Sequence, residues 1–180
     1  SFASDGYPKG LTRHDGKWVL SHANGFNTYD DSWNKQSNSA GYTSAQAISV
    51  NSSGGLVASE GATRGTFTNL LSDYTAGGKS DSELLSDIVE FPKDIDYRNG
   101  KFYVMDGSST VHEFSSNWMY NGTSYSPAGT ESTAQGLYYD SNSDKWYITD
   151  QSNDELDVYG GSFGSHSTQN LVQGPGGFAS

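Results

Sequence analysis

Four polar residues of this chain recur at one position of an internal repeat. His22, Glu60, Asp106 and Asp150 each follow a run of mainly apolar residues. Side-chain oxygens brought together from several repeats are the ligands that a hard cation such as Ca²⁺ prefers. Glu60, Asp106 and Asp150 are therefore candidate calcium ligands. The alternative is that each side chain accepts backbone N–H bonds in the turn that follows it.

A second candidate cation site lies in one polar segment. Asp140, Asn142 and Asp144 stand at alternate positions, which matches the opening of a calcium-binding loop. Lys145 stands where an EF-hand has glycine, and Gln151 where it has glutamate, so the segment is not an EF-hand. A looser calcium loop and a solvated hairpin turn are the two interpretations that stay open.

Two tryptophans are candidate ligand-binding residues. Trp33 and Trp118 follow the third strand region of the first and third repeats. An exposed Trp offers a flat apolar surface on which a sugar ring can stack, whereas a buried Trp packs between sheets. Both interpretations stay open. The sequence has no motif that joins a nucleophile to a general base, so we expect no catalytic residues.

Short strands in four repeats must position these residues. The repeats span about residues 8–44, 45–91, 92–133 and 134–174. Each repeat is anchored by one aliphatic residue, namely Leu11, Ile48, Ile95 and Leu137. An interval of about 42 residues with several short strands per copy is typical of a β-propeller, one blade per repeat. The sequence therefore predicts one all-β domain over residues 1–180, a β-propeller of about four blades.

The chain ends and the turns complete this prediction. A fifth repeat begins at Pro175 and stops at the chain end. We expect the two ends to close the ring, and the alternatives that stay open are a fragment of a longer chain and four blades of a larger ring completed elsewhere. Asp15-Gly16 and Asn99-Gly100 suit two-residue hairpins, because both central residues of a type I′ turn have positive φ. Ser80 and Glu83 instead match a capping box, which predicts a short helix over residues 80–85.

The third repeat resembles a known class of propeller blade. Residues 92–106 read Pro-Lys-Asp-Ile-Asp-Tyr-Arg-Asn-Gly-Lys-Phe-Tyr-Val-Met-Asp, and residues 135–150 follow a similar pattern. This pattern resembles the blades of NHL and YWTD-type β-propellers. The resemblance implies a propeller over about residues 8–180. Relatives of this kind bind proteins, RNA or glycans, and some are calcium-dependent hydrolases, so the activity has to be argued from the site.

Composition excludes several partners. The net charge is −11, and the ten Lys and Arg residues form no cluster that could hold a phosphate backbone, so we expect no nucleic acid partner. No apolar stretch approaches the about 18 residues that a membrane-spanning helix needs, so we expect no membrane insertion. The absence of cysteine excludes disulfides and thiolate metal sites. Abundant Ser, Thr, Asn, Gly and Tyr favour an extracellular or virion-surface protein.

These observations predict a non-enzymatic propeller module of a virion appendage or a cell surface. Its loops would bind glycans or protein subunits. We expect no cofactor, with Ca²⁺ as the one cation that the acidic positions favour. Two alternatives stay open. The first is a calcium-dependent propeller hydrolase or lactonase, and the second is a structural repeat unit of a fibre or shell that forms homo-oligomers.

Overall fold

The four repeats fold into four similar sheets. The computed structural model describes residues 8–22, 25–40, 45–50, 56–60, 70–75, 78–84, 88–89, 91–117, 119–127, 129, 134–151 and 155–170. Within these residues the chain forms sixteen strands and no helix. Each sheet contains four antiparallel strands in chain order, so neighbouring strands are joined as simple hairpins. The predicted all-β class with short strands in each repeat is confirmed.

The strands have these bounds. Sheet 1 contains β1 (Pro8–His14), β2 (Lys17–His22), β3 (Gly25–Tyr29) and β4 (Lys35–Ala40). Sheet 2 contains β5 (Ala45–Val50), β6 (Leu56–Glu60), β7 (Leu70–Thr75) and β8 (Gly78–Leu84). Sheet 3 contains β9 (Asp94–Arg98), β10 (Lys101–Met105), β11 (Val111–Ser115) and β12 (Tyr120–Tyr125). Sheet 4 contains β13 (Ala134–Asp140), β14 (Lys145–Asp150), β15 (Glu155–Gly160) and β16 (His166–Asn170).

The turn residues behave as their chemistry predicts. Asp15 and Gly16 have φ of 47° and 71°, and Asn99 and Gly100 have φ of 48° and 81°. All four are therefore in the left-handed region that a type I′ hairpin requires. These turns fix the register in which His14 lies opposite the first residue of β2 and Arg98 lies opposite the first residue of β10.

The short helix predicted over residues 80–85 is wrong. Strand β8 covers residues 80–84 of this segment and pairs antiparallel with β7. Ser and Asp side chains compete with the backbone for hydrogen bonds inside a helix, which weakens a helix of this composition. Pairing with β7 instead gives the segment a ladder of backbone hydrogen bonds along one side. The outer strand is therefore the better solution for these residues.

The sheets pack face to face in chain order. We call the face that meets the preceding sheet the rear face, and the opposite face the front face. The front face of sheet 3 and the rear face of sheet 4 share a core that contains Tyr103, Met105, Val111, Leu137, Trp146, Ile148 and Tyr159. The rear face of sheet 3 packs in the same way against sheet 2, in a core that contains Ala47, Ile95, Phe102, Val104 and Phe114. Large aromatic side chains thus pack with aliphatic ones in both contacts between sheets.

The first strand of every sheet lies innermost. β1 contacts β5, β5 contacts β9, and β9 contacts β13. Among the described strands, no contact of similar extent joins β13 back to β1. The sheets therefore follow an arc in propeller order, and the number of blades in the complete ring stays a prediction. The predicted closure by the chain ends concerns residues 1–7 and 171–180, which lie outside the described residues. In the described part of the chain there is no helix suited to crossing a membrane.

Candidate functional site

A groove lies on the inner side of the arc, with a volume of about 960 Å³. Its floor is formed by β5 and β9, with Ile48, Ser49, Asp94, Ile95 and Asp96. One wall belongs to sheet 1, with Leu11, Thr12, Arg13 and Trp18. The other wall belongs to sheet 4, with Gly136, Leu137, Tyr138, Asp140, Tyr147, Thr149 and Leu156. The groove therefore combines apolar and aromatic walls with carboxylates, a composition that suits a ligand with both apolar and hydrogen-bonding groups.

Two carboxylates on the floor join the inner strands. Asp94 Oδ2 accepts the backbone N–H of Leu137 at 2.7 Å, and Asp96 Oδ2 accepts that of Tyr139 at 2.6 Å. The two acceptors are two residues apart in β9, and the two donors are two residues apart in β13. This is the spacing of hydrogen bonds along a paired strand, but here side chains of β9 take the place of its backbone carbonyls. Ser49 Oγ donates from β5 to Asp96 Oδ1 at 3.2 Å. These carboxylates therefore link three consecutive inner strands.

The environment of the two carboxylates shifts their pKa values. Burial raises the pKa of Asp94 from 3.8 to about 7, although the backbone N–H groups of Leu137 and Ile95 oppose this rise. Burial also raises the pKa of Asp96, again against hydrogen bonds that favour the charged form. A carboxyl with a pKa near 7 has the acidity of a general acid or base. Both oxygens of Asp94 accept backbone N–H bonds, however, which indicates a role in holding the sheets together.

Asp106 caps a turn, as the second interpretation of its position predicts. Its Oδ1 accepts the backbone N–H groups of Ser108 and Thr110 at 2.8 and 2.9 Å. Its Oδ2 lies 2.9 Å from Nε2 of His112, and both side chains are buried. The carboxylate therefore fixes the connection between β10 and β11.

The other three polar residues that recur in the repeats also lie at the end of the second strand of their sheet, as the repeat predicts. His22, Glu60 and Asp150 are the last residues of β2, β6 and β14, and Asp106 directly follows β10. His22 and Asp150 are buried. In the described part of the chain, no three His, Asp or Glu side chains come together as a cation site requires. Calcium binding by Glu60, Asp106 and Asp150 stays a prediction.

The segment from Asp140 to Asp144 forms the turn between β13 and β14. Asp140 accepts the backbone N–H of Asn142 at 3.0 Å and the hydroxyl of Ser143 at 2.6 Å. Asp144 accepts a guanidinium N–H of Arg98 and the hydroxyl of Tyr139, each at 2.7 Å. The two carboxylates therefore have separate protein partners. Calcium binding by Asp140, Asn142 and Asp144 also stays a prediction.

Trp33 stacks on Trp18, which lines the sheet 1 wall of the groove, and we call this stack the rim of the groove. Its ring is parallel to that of Trp18, with centroids 5.4 Å apart and an interplanar angle of 15°. The guanidinium of Arg13 lies 5.1 Å from the Trp18 ring centroid and pairs with Asp31 at 2.9 Å. Asp30 fixes the turn that carries Trp33 by accepting the backbone N–H groups of residues 32 and 34. Trp33 is 40% exposed, so one part of its ring is accessible to a ligand.

Phe163 occupies in sheet 4 the position that Trp33 occupies in sheet 1. Both residues have a left-handed backbone, with φ of 59° and 61°. Each lies in the turn between the third and fourth strands and stacks on the equivalent Trp, since Phe163 lies 5.1 Å from Trp146 at 17°. Phe163 also contacts Tyr125 of sheet 3 at 4.9 Å, so this position can serve packing between sheets. Trp118, the equivalent residue of sheet 3, lies outside the described residues.

Sequence reasoning did not find most of the groove. Its carboxylates Asp94 and Asp96 and its wall residues Arg13 and Trp18 match no functional motif. Comparison of the repeats contains one signal, because Asp94 replaces a small residue that stands at the same position in the other repeats. This difference marks the first strand of the third repeat as unlike the first strands of the other repeats. It does not show which strand its carboxylates contact.

The comparisons with known proteins concern the fold. No family model matches the sequence, and no curated protein matches it. A protein of unknown function from Bacteroides caccae matches 93% of this chain with a TM-score of 0.62 and 12% identity. A chain of a nidogen/laminin complex matches 91% with a TM-score of 0.67 and 11% identity. A functionally unknown protein from Desulfotomaculum acetoxidans matches 93% with a TM-score of 0.62 and 9% identity.

These likenesses define the class of protein. The nidogen/laminin match is a YWTD-type β-propeller, so the chain is an all-β protein with a β-propeller-like fold. The chain spans 62%, 63% and 56% of the length of the three matching chains, in the order given above. At these identities the likeness shows the fold alone, and function has to be argued from the groove.

Proposed function

We propose that this chain is a non-enzymatic propeller-like module that binds a protein or glycan partner at the groove and its rim. The exposed stack of Trp33 on Trp18 carries this proposal. Rigid aromatic rings bind partners with little loss of conformational entropy, because few torsions have to be fixed. A protein partner could pack apolar side chains on these rings, and a glycan could stack a sugar ring on them.

The chemistry of the two walls supports a polar and apolar ligand. Tyr138 is 60% exposed on the sheet 4 wall and lies beside Tyr147, with ring centroids 6.3 Å apart. Asp140 and Arg13 add one charge of each sign to the opposing walls. A sugar uses such a surface by stacking its C–H groups on the rings and bonding its hydroxyls to the charged groups.

The proposal also covers the location of the protein and its use of a cofactor. An acidic surface rich in Ser, Asn and Tyr favours an extracellular or virion-surface location. We further propose that binding needs no cofactor. Both carboxylates on the groove floor already bond to backbone N–H groups, which supports a structural use of these side chains.

A glycan array tests the glycan form of this proposal. The wild-type chain is compared with Trp33→Ala and with Met119→Ala, which removes an exposed apolar side chain of sheet 3 outside the groove. We expect Trp33→Ala to lower the bound signal at least about tenfold, as loss of an aromatic anchor does, while Met119→Ala leaves it unchanged. Circular dichroism checks that both variants fold. Equal binding by the wild type and Trp33→Ala contradicts the glycan form.

A further inference from the structure

Glu113 is a buried acidic residue at the centre of sheet 3. It lies on β11 opposite Tyr103 of β10, on the front face, and it is 4% exposed. Burial of a carboxylate is costly unless several groups donate hydrogen bonds to it. Thr28 of sheet 1 and Val158 of sheet 4 stand at the same register position, so the fold itself does not require a carboxylate there. The reason for Glu113 therefore has to lie in its own partners.

One oxygen of Glu113 joins a lysine and an asparagine. Its Oε1 accepts a hydrogen bond from Nζ of Lys101 at 2.6 Å and another from Nδ2 of Asn121 at 2.5 Å. Lys101 begins β10 and Asn121 is the second residue of β12, so the two side chains approach the carboxylate from the strands on either side of β11. An amine and an amide thus meet at a single oxygen atom.

The other hydrogen bonds of this cluster fix the orientation of the carboxylate and of the amide. The hydroxyls of Tyr103 and Tyr125 donate to Oε2 of Glu113 at 3.0 and 3.1 Å, which leaves Oε1 for the two nitrogens. Oδ1 of Asn121 accepts the backbone N–H of Thr123 at 2.9 Å. This bond directs the amide nitrogen toward Glu113, and it stabilises negative charge that develops on Oδ1 when a nucleophile attacks the amide carbon.

The surroundings of the cluster suit proton transfer. Tyr103 packs on Trp146 of sheet 4, with ring centroids 4.7 Å apart, so aromatic rings cover the inner side. Burial acts to raise the pKa of Glu113, but its four hydrogen-bond donors hold that pKa below the usual value. The carboxylate is therefore charged at neutral pH and can accept a proton from the lysine ammonium. The side chain of Lys101 is 45% exposed, so a small product can leave the cluster to solvent.

We propose that Lys101 and Asn121 join in an intramolecular isopeptide bond, with Glu113 as the catalytic residue. The Nζ of Lys101 gives a proton to Glu113 and attacks Cγ of Asn121. The bond from Cγ to Nδ2 then breaks, and Glu113 returns the proton to Nδ2. The lysine ammonium loses two protons in all, so ammonia leaves as ammonium and Glu113 regains its charge. The reaction happens once in each chain, needs no other reactant, and ties β10 to β12 across β11.

Mass spectrometry of the full chain tests the bond. We expect the wild type to be lighter than its sequence by about 17 Da, the mass of the ammonia released. A succinimide formed between Asn121 and Gly122 gives the same loss, so the position of the link has to be shown as well. In the denatured chain, a protease that cuts after glutamate separates residues 91–113 from residues 114–131. We expect these two peptides to stay joined.

Two substitutions test the roles of the lysine and the glutamate. Lys101→Arg keeps a positive charge beside Glu113 but removes the amine nucleophile, so we expect the full mass of its sequence and two separate peptides. Glu113→Gln should leave most chains without the bond, because loss of general acid–base catalysis slows such a step about 10²–10⁴-fold. Trypsin shows this directly, since it cuts after a free Lys101 and not after a bonded one.

Lys145→Arg is the matched control. Lys145 begins β14 as Lys101 begins β10, but Val158 stands in sheet 4 where sheet 3 has Glu113. We expect this variant to keep both the mass loss and the joined peptides of the wild type. Circular dichroism checks that every variant folds, and Lys101→Arg decides the question if Glu113→Gln does not fold.

The outcomes separate the bond from its alternatives. A wild type with the full mass of its sequence overturns the inference. A mass loss that persists in Lys101→Arg also overturns it, because a succinimide then accounts for the loss. Joined peptides that Lys145→Arg separates place the link at another lysine and overturn it as well. Peptides that are joined in the wild type and separate in Lys101→Arg, with the control unchanged, support the inference.

Discussion

Asp94 and Glu113 show how burial and hydrogen bonding oppose each other at single residues. Asp94 has two backbone N–H donors, and burial dominates, so its pKa rises to about 7. Burial acts in the same direction on Glu113, but four side chains donate to its two oxygens and hold its pKa below the usual value. The donors are Lys101, Tyr103, Asn121 and Tyr125. The balance between burial and the hydrogen bonds that favour the charged form therefore sets the direction of each pKa shift.

The raised pKa of Asp94 predicts a pH-dependent stability. The folded chain keeps the proton up to about pH 7, whereas the unfolded chain loses it near pH 3.8. Folding therefore takes up a proton between these values, and this residue makes the free energy of unfolding decrease as the pH rises from about 4 to about 7. In Asp94→Asn this contribution disappears.

Urea denaturation of the wild type and of Asp94→Asn at several pH values checks this prediction. From pH 7 down to about pH 4.5, we expect the wild type to gain stability relative to the variant by an amount on the order of 2 kcal/mol. Asp96 is present in both chains, so its titration largely cancels in the comparison. Parallel pH profiles of the two proteins contradict the assigned shift.

The elements of the fold could be predicted where local chemistry decides them. The positive φ of Asn99 and Gly100 follows from their residue types. Strand β10 follows from its run of aromatic and aliphatic residues, which is buried on both faces. The segment over residues 80–85 was mispredicted, because its capping residues are visible in the sequence and its pairing with β7 is not. The contact of Asp94 with Leu137 was also beyond prediction, since it joins residues 43 positions apart.

Two equivalent glycines test how the inner strands pack. A Cβ added at Gly10 would lie 3.0 Å from the backbone nitrogen of Ile48 and 3.2 Å from Cα of Ala47, which belong to β5. A Cβ added at Gly136 would meet mainly the rotatable hydroxyl of Thr149, at 2.9 Å. Gly10→Ala therefore has to separate two backbones, whereas Gly136→Ala needs only a side-chain rotation.

We expect Gly10→Ala to lower the free energy of unfolding by about 1–3 kcal/mol, as overpacking does. Gly136→Ala should cost less than about 1 kcal/mol. Urea denaturation of both variants measures the difference. Equal losses would show that the close approach of β1 to β5 does not limit the size of residue 10.

At the scale of the whole molecule, the groove combines residues that no local pattern connects. Its lining comes from all four inner strands, so it exists only once the sheets are placed along the arc. The repeat period predicts that order, but the openness of the arc between β13 and β1 depends on how each sheet turns relative to the next. The exposure of Leu11 is the residue-level sign of that openness, and the sequence shows Leu11 only as one of four equivalent anchors.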